Sequence, residues 1–165
     1  MALQLSVASP HAMFNEPFAS IVANTLRKQF GDTIRFDSDQ ERRSEEPGWS
    51  GWRKLQEHAV EACGEDKVPH LLAMPAWHGC YLPVDTEPGA FEFNDAPNLD
   101  VASLQRLVPE LEAVGNALNL PLADDELNQL FDKYMGDDDL VDADMHVQLF
   151  TQLLPLARFA LEQRE

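Results

Sequence analysis

Apolar residues recur at helical spacing along most of this chain and alternate in a few short stretches between. LQLSV (residues 3–7) alternates like a short strand closed by Pro10. Phe18, Ile21, Val22, Thr25, Leu26 and Phe30 then mark an amphipathic helix, with Pro17 in the first turn and Gly31 suited to its C-cap. DTIRFD (32–37) predicts a strand with Ile34 and Phe36 on one face, and the polar SDQERRSEEPG after it an exposed loop. Trp52, Leu55, Ala59 and Ala62 form one stripe of a helix from Ser50 to Cys63, ended by Gly64.

Pro69, Pro75 and Pro83 break VPHLLAMPAWHGCYLPVD into short pieces, with a strand expected from Gly79 to Val84. EPGAFEFND adds a second strand through Phe91 and Phe93, expected to pair with the first as a hairpin across residues 85–89. The rest is helical: Val101 to Leu118, then ADDELNQLFDKYM, then Asp142 to Gln163. The last helix carries two adjacent apolar rows, so it should be buried on more than one side. Pro109 and Pro155 can bend the helices that contain them. There is no internal repeat and no low-complexity segment. The pattern predicts an α+β fold, a mostly helical single domain spanning residues 1–165 with a small antiparallel β element.

Composition agrees with a folded chain. At 165 residues and 44% hydrophobic side chains, one substantial core can be buried without disulfides or metals. Cys63 and Cys80 are too few for a disulfide framework and read as reduced, buried thiols. The start lacks a basic n-region, and no run approaches the roughly 20 apolar residues of a membrane span. A cytoplasmic location is expected, with no membrane contact.

Charge changes the picture most. Twelve Lys and Arg against 29 Asp and Glu give net −17, which repels nucleic acid and anionic lipid. The imbalance is uneven: residues 1–84 hold 8 basic and 11 acidic side chains, and residues 85–165 hold 4 and 18. The densest run is GDDDLVDAD, with Asp137, Asp138, Asp139, Asp142 and Asp144. As an EF-hand loop it fails, because the sixth position would be Asp142 or Asp144 instead of glycine, and the twelfth Gln148 or Phe150 instead of glutamate. It suits the N-terminus of the last helix, where carboxylates complement the dipole. A contact patch for a basic partner is a second reading, since capping needs only one or two of the five. The same acidity would fit a salt-adapted host.

His70, His78 and Cys80 lie close in sequence, but their spacing matches no metal site or Cys–His nucleophile pattern. His58 and His146 read as structural. No Gly-rich phosphate loop, GxSxG or HExxH occurs, and no cofactor is implied. Trp49, Trp52 and Trp77 are candidate interface anchors as well as core residues, and Trp49 joins the acidic run as a predicted partner contact.

Two segments, PGWSGWRKLQEHAVEACG (47–64) and VPHLLAMPAWHGCYLPVD (68–85), with the following LQRLVPELEAV helix, resemble small bacterial proteins of the toxin-immunity type. The resemblance covers roughly residues 47–114 and departs at MPAWHGCYLP, which lacks the acidic residues expected before Gly79. It implies an immunity or inhibitor protein with no catalytic residues to carry over. Combined with the charge, it predicts a protein that binds a basic partner, such as a toxin domain, through its acidic C-terminal half. Two other readings stay open: a small enzyme with a site near residues 70–80, and a structural subunit pairing through its long C-terminal helix.

Overall fold

The computed structural model describes residues 5–34, 42–44, 49–75, 79–93, 96–135 and 144–163, and of Trp49, Ala96 and Met135 only the backbone. The fold is α+β and mostly helical.

The N-terminal strand is found as β1 (Ser6–Val7), antiparallel to β2 (Arg42–Arg43). β2 lies in the segment predicted to be a loop. Its two exposed arginines give no apolar alternation, and the pairing is a main-chain matter. It is extended by Ser44 N–H donating to the Leu5 carbonyl at 2.9 Å, with Leu5 N–H donating to Ser44 Oγ at 3.1 Å. A single turn, α1 (Pro10–Met13), leads into α2 (Phe18–Phe30), which ends as expected at Gly31. There φ is +64°, a region that glycine enters without strain. The strand predicted for residues 32–37 does not begin as one: Gly31–Thr33 make a 3-10 turn, held by Thr33 Oγ1 donating to the Phe30 carbonyl. Ile34 is buried, and residues 35–37 lie outside the described residues.

Helix α3 (Trp49–Cys63) buries Trp52, Leu55 and Ala59 but not Ala62, which is exposed; half-buried Cys63 packs against the core in its place. The proline-broken segment begins with a four-residue helix, α4 (Pro69–Leu72), and continues to β3 (Cys80–Leu82) inside its predicted limits.

The sheet corrects the expected hairpin. β4 (Gly89–Phe93) does not pair with β3; a third strand, β5 (Ala96–Ser103), lies between them, giving the order β3-β5-β4. β5 is antiparallel to β4 and parallel to β3, with Cys80 opposite Val101 and Leu82 opposite Ser103. Sequence patterning missed β5 because Pro97, Asn98 and Asp100 interrupt its apolar positions, and Val101 fits the period of the helix that follows. Burial explains why it is central: Leu99 and Val101 pack with α2, while Ala102 joins the helical core on the other face. Helix α5 (Leu104–Ala117) consequently starts three residues later than predicted, at the N-cap Ser103.

Helices α6 (Asp124–Met135) and α7 (Met145–Glu162) complete the fold. α7 is buried on more than one side, as its double row predicts, by Val147, Leu149, Phe150, Leu153, Leu154 and Leu156 among others. Two glycines let helices approach it: a Cβ at Gly51 of α3 would lie 2.9 Å from the Met145 carbonyl oxygen, and one at Gly115 of α5 would meet the Phe150 ring at 2.8 Å. A second, smaller core joins α2 to the sheet through Val22, Leu26, Val84, Phe93 and Leu99, edged by Phe14, Phe18, Phe30 and Phe91. The Phe18 ring meets Phe14 and Phe93 edge-on.

Candidate functional site

The first candidate is the acidic C-terminal half. Helix α6 buries Leu127 but leaves Asp124, Asp125, Glu126 and Asp132 exposed, with Lys133 the one cation among its residues. Carboxylates at 124–126 sit in its first turn, where the helix dipole favours them. The arginines nearby are already engaged. Arg158 of α7, 25% exposed, donates to Glu112 of α5 at 2.8 Å, to Asp124 at 3.0 Å and to the Leu122 carbonyl. Burial opposes its charge, yet Glu112 and Asp124 hold the guanidinium above its ordinary range. Arg106 of α5 donates to Asp85 and Glu87 in the same two-to-one fashion. Each of these cations is shared by two anions, so the pairing lowers the local negative charge without cancelling it.

Of the predicted partner contacts, Asp137, Asp138, Asp139 and Asp142 lie outside the described residues, as does the Trp49 side chain, whose backbone opens α3. Asp144 is half-exposed at the N-cap of α7 and closes no cap bond with its side chain. Helix capping therefore does not occupy this carboxylate. It bears instead on Tyr134 of α6, whose phenol is raised first by burial and further by the Asp144 charge. Trp52 is no surface anchor: it is buried, and its Nε1–H donates to the Met74 carbonyl at 2.9 Å. Trp77 and His78 lie outside the described residues.

The second candidate surrounds His70, where α4 meets the C-terminal ends of parallel β3 and β5. His70 is 1% exposed and is gripped at three points. Its N–H donates to Glu110 Oε1 at 3.1 Å, its carbonyl accepts from Tyr81 Oη at 2.9 Å, and its Nδ1 accepts from the Ser103 N–H at 3.1 Å. Glu110, 8% exposed on α5, also takes the Leu71 N–H at 2.9 Å, so one carboxylate satisfies two amides at the start of α4. Ser103 Oγ accepts from Arg106 N–H as the N-cap of α5 and donates to the Val84 carbonyl at 2.7 Å.

Burial sets the ionisation here. It lowers the His70 ring, as does Arg106, against the upward pull of Glu87 and Asp85. Burial raises Glu110, against the amides of Leu71 and His70 and the nearby Arg106. It raises the Tyr81 phenol well above its ordinary value, with Glu110 adding to the effect, and pushes the Cys80 thiol up to about 12.

This geometry makes a joint. Ser103 Oγ is turned to a carbonyl, and the His70 Nδ1 lone pair is taken by a main-chain amide, so the two form no serine–histidine nucleophile pair. Cys80 is a free cysteine that stays protonated at neutral pH, which removes the thiolate that covalent chemistry needs. Among the described residues no group of three His, Cys, Asp or Glu side chains could hold a metal ion. His58 of α3 and His146 of α7 stack at a tilt of 32°, centroids 4.0 Å apart. Sequence reading singled out His70 and Cys80 but missed Tyr81, Ser103, Arg106 and Glu110. Ser103 before the apolar period of Leu104 and Leu107 was the available signal, as an N-cap residue; Glu110 carried none, because it looks like any exposed helical glutamate.

Among the described residues no helix is long and apolar enough to cross a membrane. No family model, curated protein or solved structure matches the chain.

Proposed function

We propose that the protein is a cytoplasmic immunity-type inhibitor that binds a basic surface on a partner toxin or enzyme through its acidic C-terminal half. The observation that carries this reading is the uncancelled charge of that half: 18 acidic against 4 basic side chains, with Arg106 and Arg158 each already shared between two carboxylates. Such a field speeds encounter with a basic cleft and discriminates against acidic competitors. The contact residues are Asp137, Asp138, Asp139, Asp142 and Asp144, with Trp49 as an apolar anchor.

The test is capture of the product of the neighbouring gene, followed by binding and activity measurements on the purified pair. We expect stoichiometric binding that weakens with salt and silences the partner's activity. Replacing Asp137, Asp138 and Asp139 together by Asn should weaken binding about tenfold or more, mostly through slower association. Unchanged affinity in that variant would remove the charge argument, and a bound partner that stays active would remove inhibition.

Self-pairing through the C-terminal helix is less favoured by the packing. The apolar positions of α7 from Val147 to Ala157 that such a dimer would use are covered within the molecule.

A further inference from the structure

We propose that His70 is a proton-operated latch: its neutral ring fastens α4 to the β5–α5 junction, and proton uptake by the ring releases α4. This inference is independent of the partner-binding reading and concerns the opposite use of charge, in the interior.

The geometry makes the latch sensitive to one proton. Nδ1 must present a lone pair to accept the Ser103 N–H, so the bound ring carries its single proton on Nε2. A second proton can go only to Nδ1, where it would face the Ser103 N–H donor to donor. Ser103 is fully buried, so its amide then has neither the ring nor water as partner. The ring itself, charged and 1% exposed, needs solvent that the closed joint excludes. Both consequences are relieved by moving α4 outward.

The charged and titratable groups around the ring come from each element packed on it. Burial, the largest influence, and Arg106 of α5 oppose the proton, Glu87 and Asp85 beyond β3 favour it, and the ring is lowered. Glu110 of α5 and Tyr81 of β3 grip the main chain of the same residue. Glu110 does not drive the release. Its carboxyl is raised, so it takes up a proton more readily in the closed joint than in water, and acid relieves its buried charge. The ring is lowered, so it binds a proton more readily once released, and acidification favours the open form. One proton taken up by the ring per opening raises the open population by up to about tenfold per pH unit, between the lowered value of the closed ring and its ordinary range, and by less wherever Glu110 titrates, because the closed joint holds that carboxyl's proton more firmly.

α4 has four residues, its Leu71 is fully buried in the helical core, and its end is held to α3 by Trp52 donating to the Met74 carbonyl and Gln56 donating to those of Leu71 and Met74, so release of α4 must also withdraw Leu71 and loosen these bonds. Helix α7 has no residue in this set of bonds.

The experiment is an NMR titration of the full-length protein from neutral pH downward, reading amide protection at Ser103 and Leu71, the Trp52 indole N–H, and the 15N shifts of the His70 ring. The latch requires an Nδ1 lone pair at neutral pH. It also requires Ser103 and Leu71 protection to fall with pH, by up to about tenfold per unit, in step with ring protonation, while Phe150 and Leu154 stay protected. His70→Asn, which keeps an acceptor near the Nδ1 position but cannot ionise, should abolish the response. The inference is overturned if α7 loses protection together with α4, if α4 opens while the ring stays neutral, or if His70→Asn opens at the same pH as the parent. Should that variant not fold, the ring shifts and amide protection of the parent decide alone.

Discussion

Helix α7 and the α4–β5–α5 junction are both buried, and they achieve it differently. α7 fills its surroundings with Val147, Leu149, Phe150, Leu153 and Leu154. The junction buries His70, Ser103 and Glu110, and each is bonded to a main-chain amide or carbonyl of another segment. Apolar packing is non-directional, so α7 tolerates exchange among residues of similar size. The junction depends on lone pairs meeting particular donors, so it tolerates little and responds to pH.

The sharpest way to break the first region is Phe150→Ala. The ring is fully buried and packs against the space left by Gly115, so we expect a loss of about 3–5 kcal/mol in urea unfolding, independent of pH. Glu110→Ala tests the second. It orphans the His70 and Leu71 amides, at about 1–3 kcal/mol for each group left unsatisfied. Its pH dependence carries a sign. Because burial raises the folded carboxyl, the contribution of Glu110 is fully present below the unfolded value and is lost as pH rises through the folded one. In the His70→Asn background, where acid does not release α4, the loss caused by Glu110→Ala should therefore be largest in acid and shrink toward neutrality. A loss that grows with pH would mean that the amide bonds outweigh burial.

These two regions also differ in how legible they were. The double apolar row of α7 is a local property of eighteen consecutive residues, and both its existence and its burial could be read from spacing. β5 could not, because its central place comes from being covered on two faces by elements far away in sequence, α2 on one side and the helical core on the other. The expected β3–β4 hairpin failed for the same reason: adjacency in sequence suggested a pairing that β5 displaced. Glu110 and Arg106 were invisible as site residues, since nothing local distinguishes a helical glutamate that reaches another helix's amides from one that faces water.

The smallest effect is expected where charge acts at the surface. Arg158→Ala breaks the links to Glu112 and Asp124 and should cost about 1 kcal/mol at low salt, less as salt rises. It also adds to the negative surplus of α6, so partner association should be quickened, not slowed; slower association would sever the tie between this face and binding.

By itself the sequence determined the five long helices α2, α3, α5, α6 and α7, the apolar rows that bury them and the asymmetry of charge, because periodicity and composition are properties of contiguous residues; the four-residue α1 and α4 are too short to show a period. The tertiary structure decided strand order, the burial of His70 and Glu110, and the sharing of Arg106 and Arg158 between carboxylates. Those depend on segments tens of residues apart meeting in space, and a hydrogen bond or ion pair exists only once both partners have been placed.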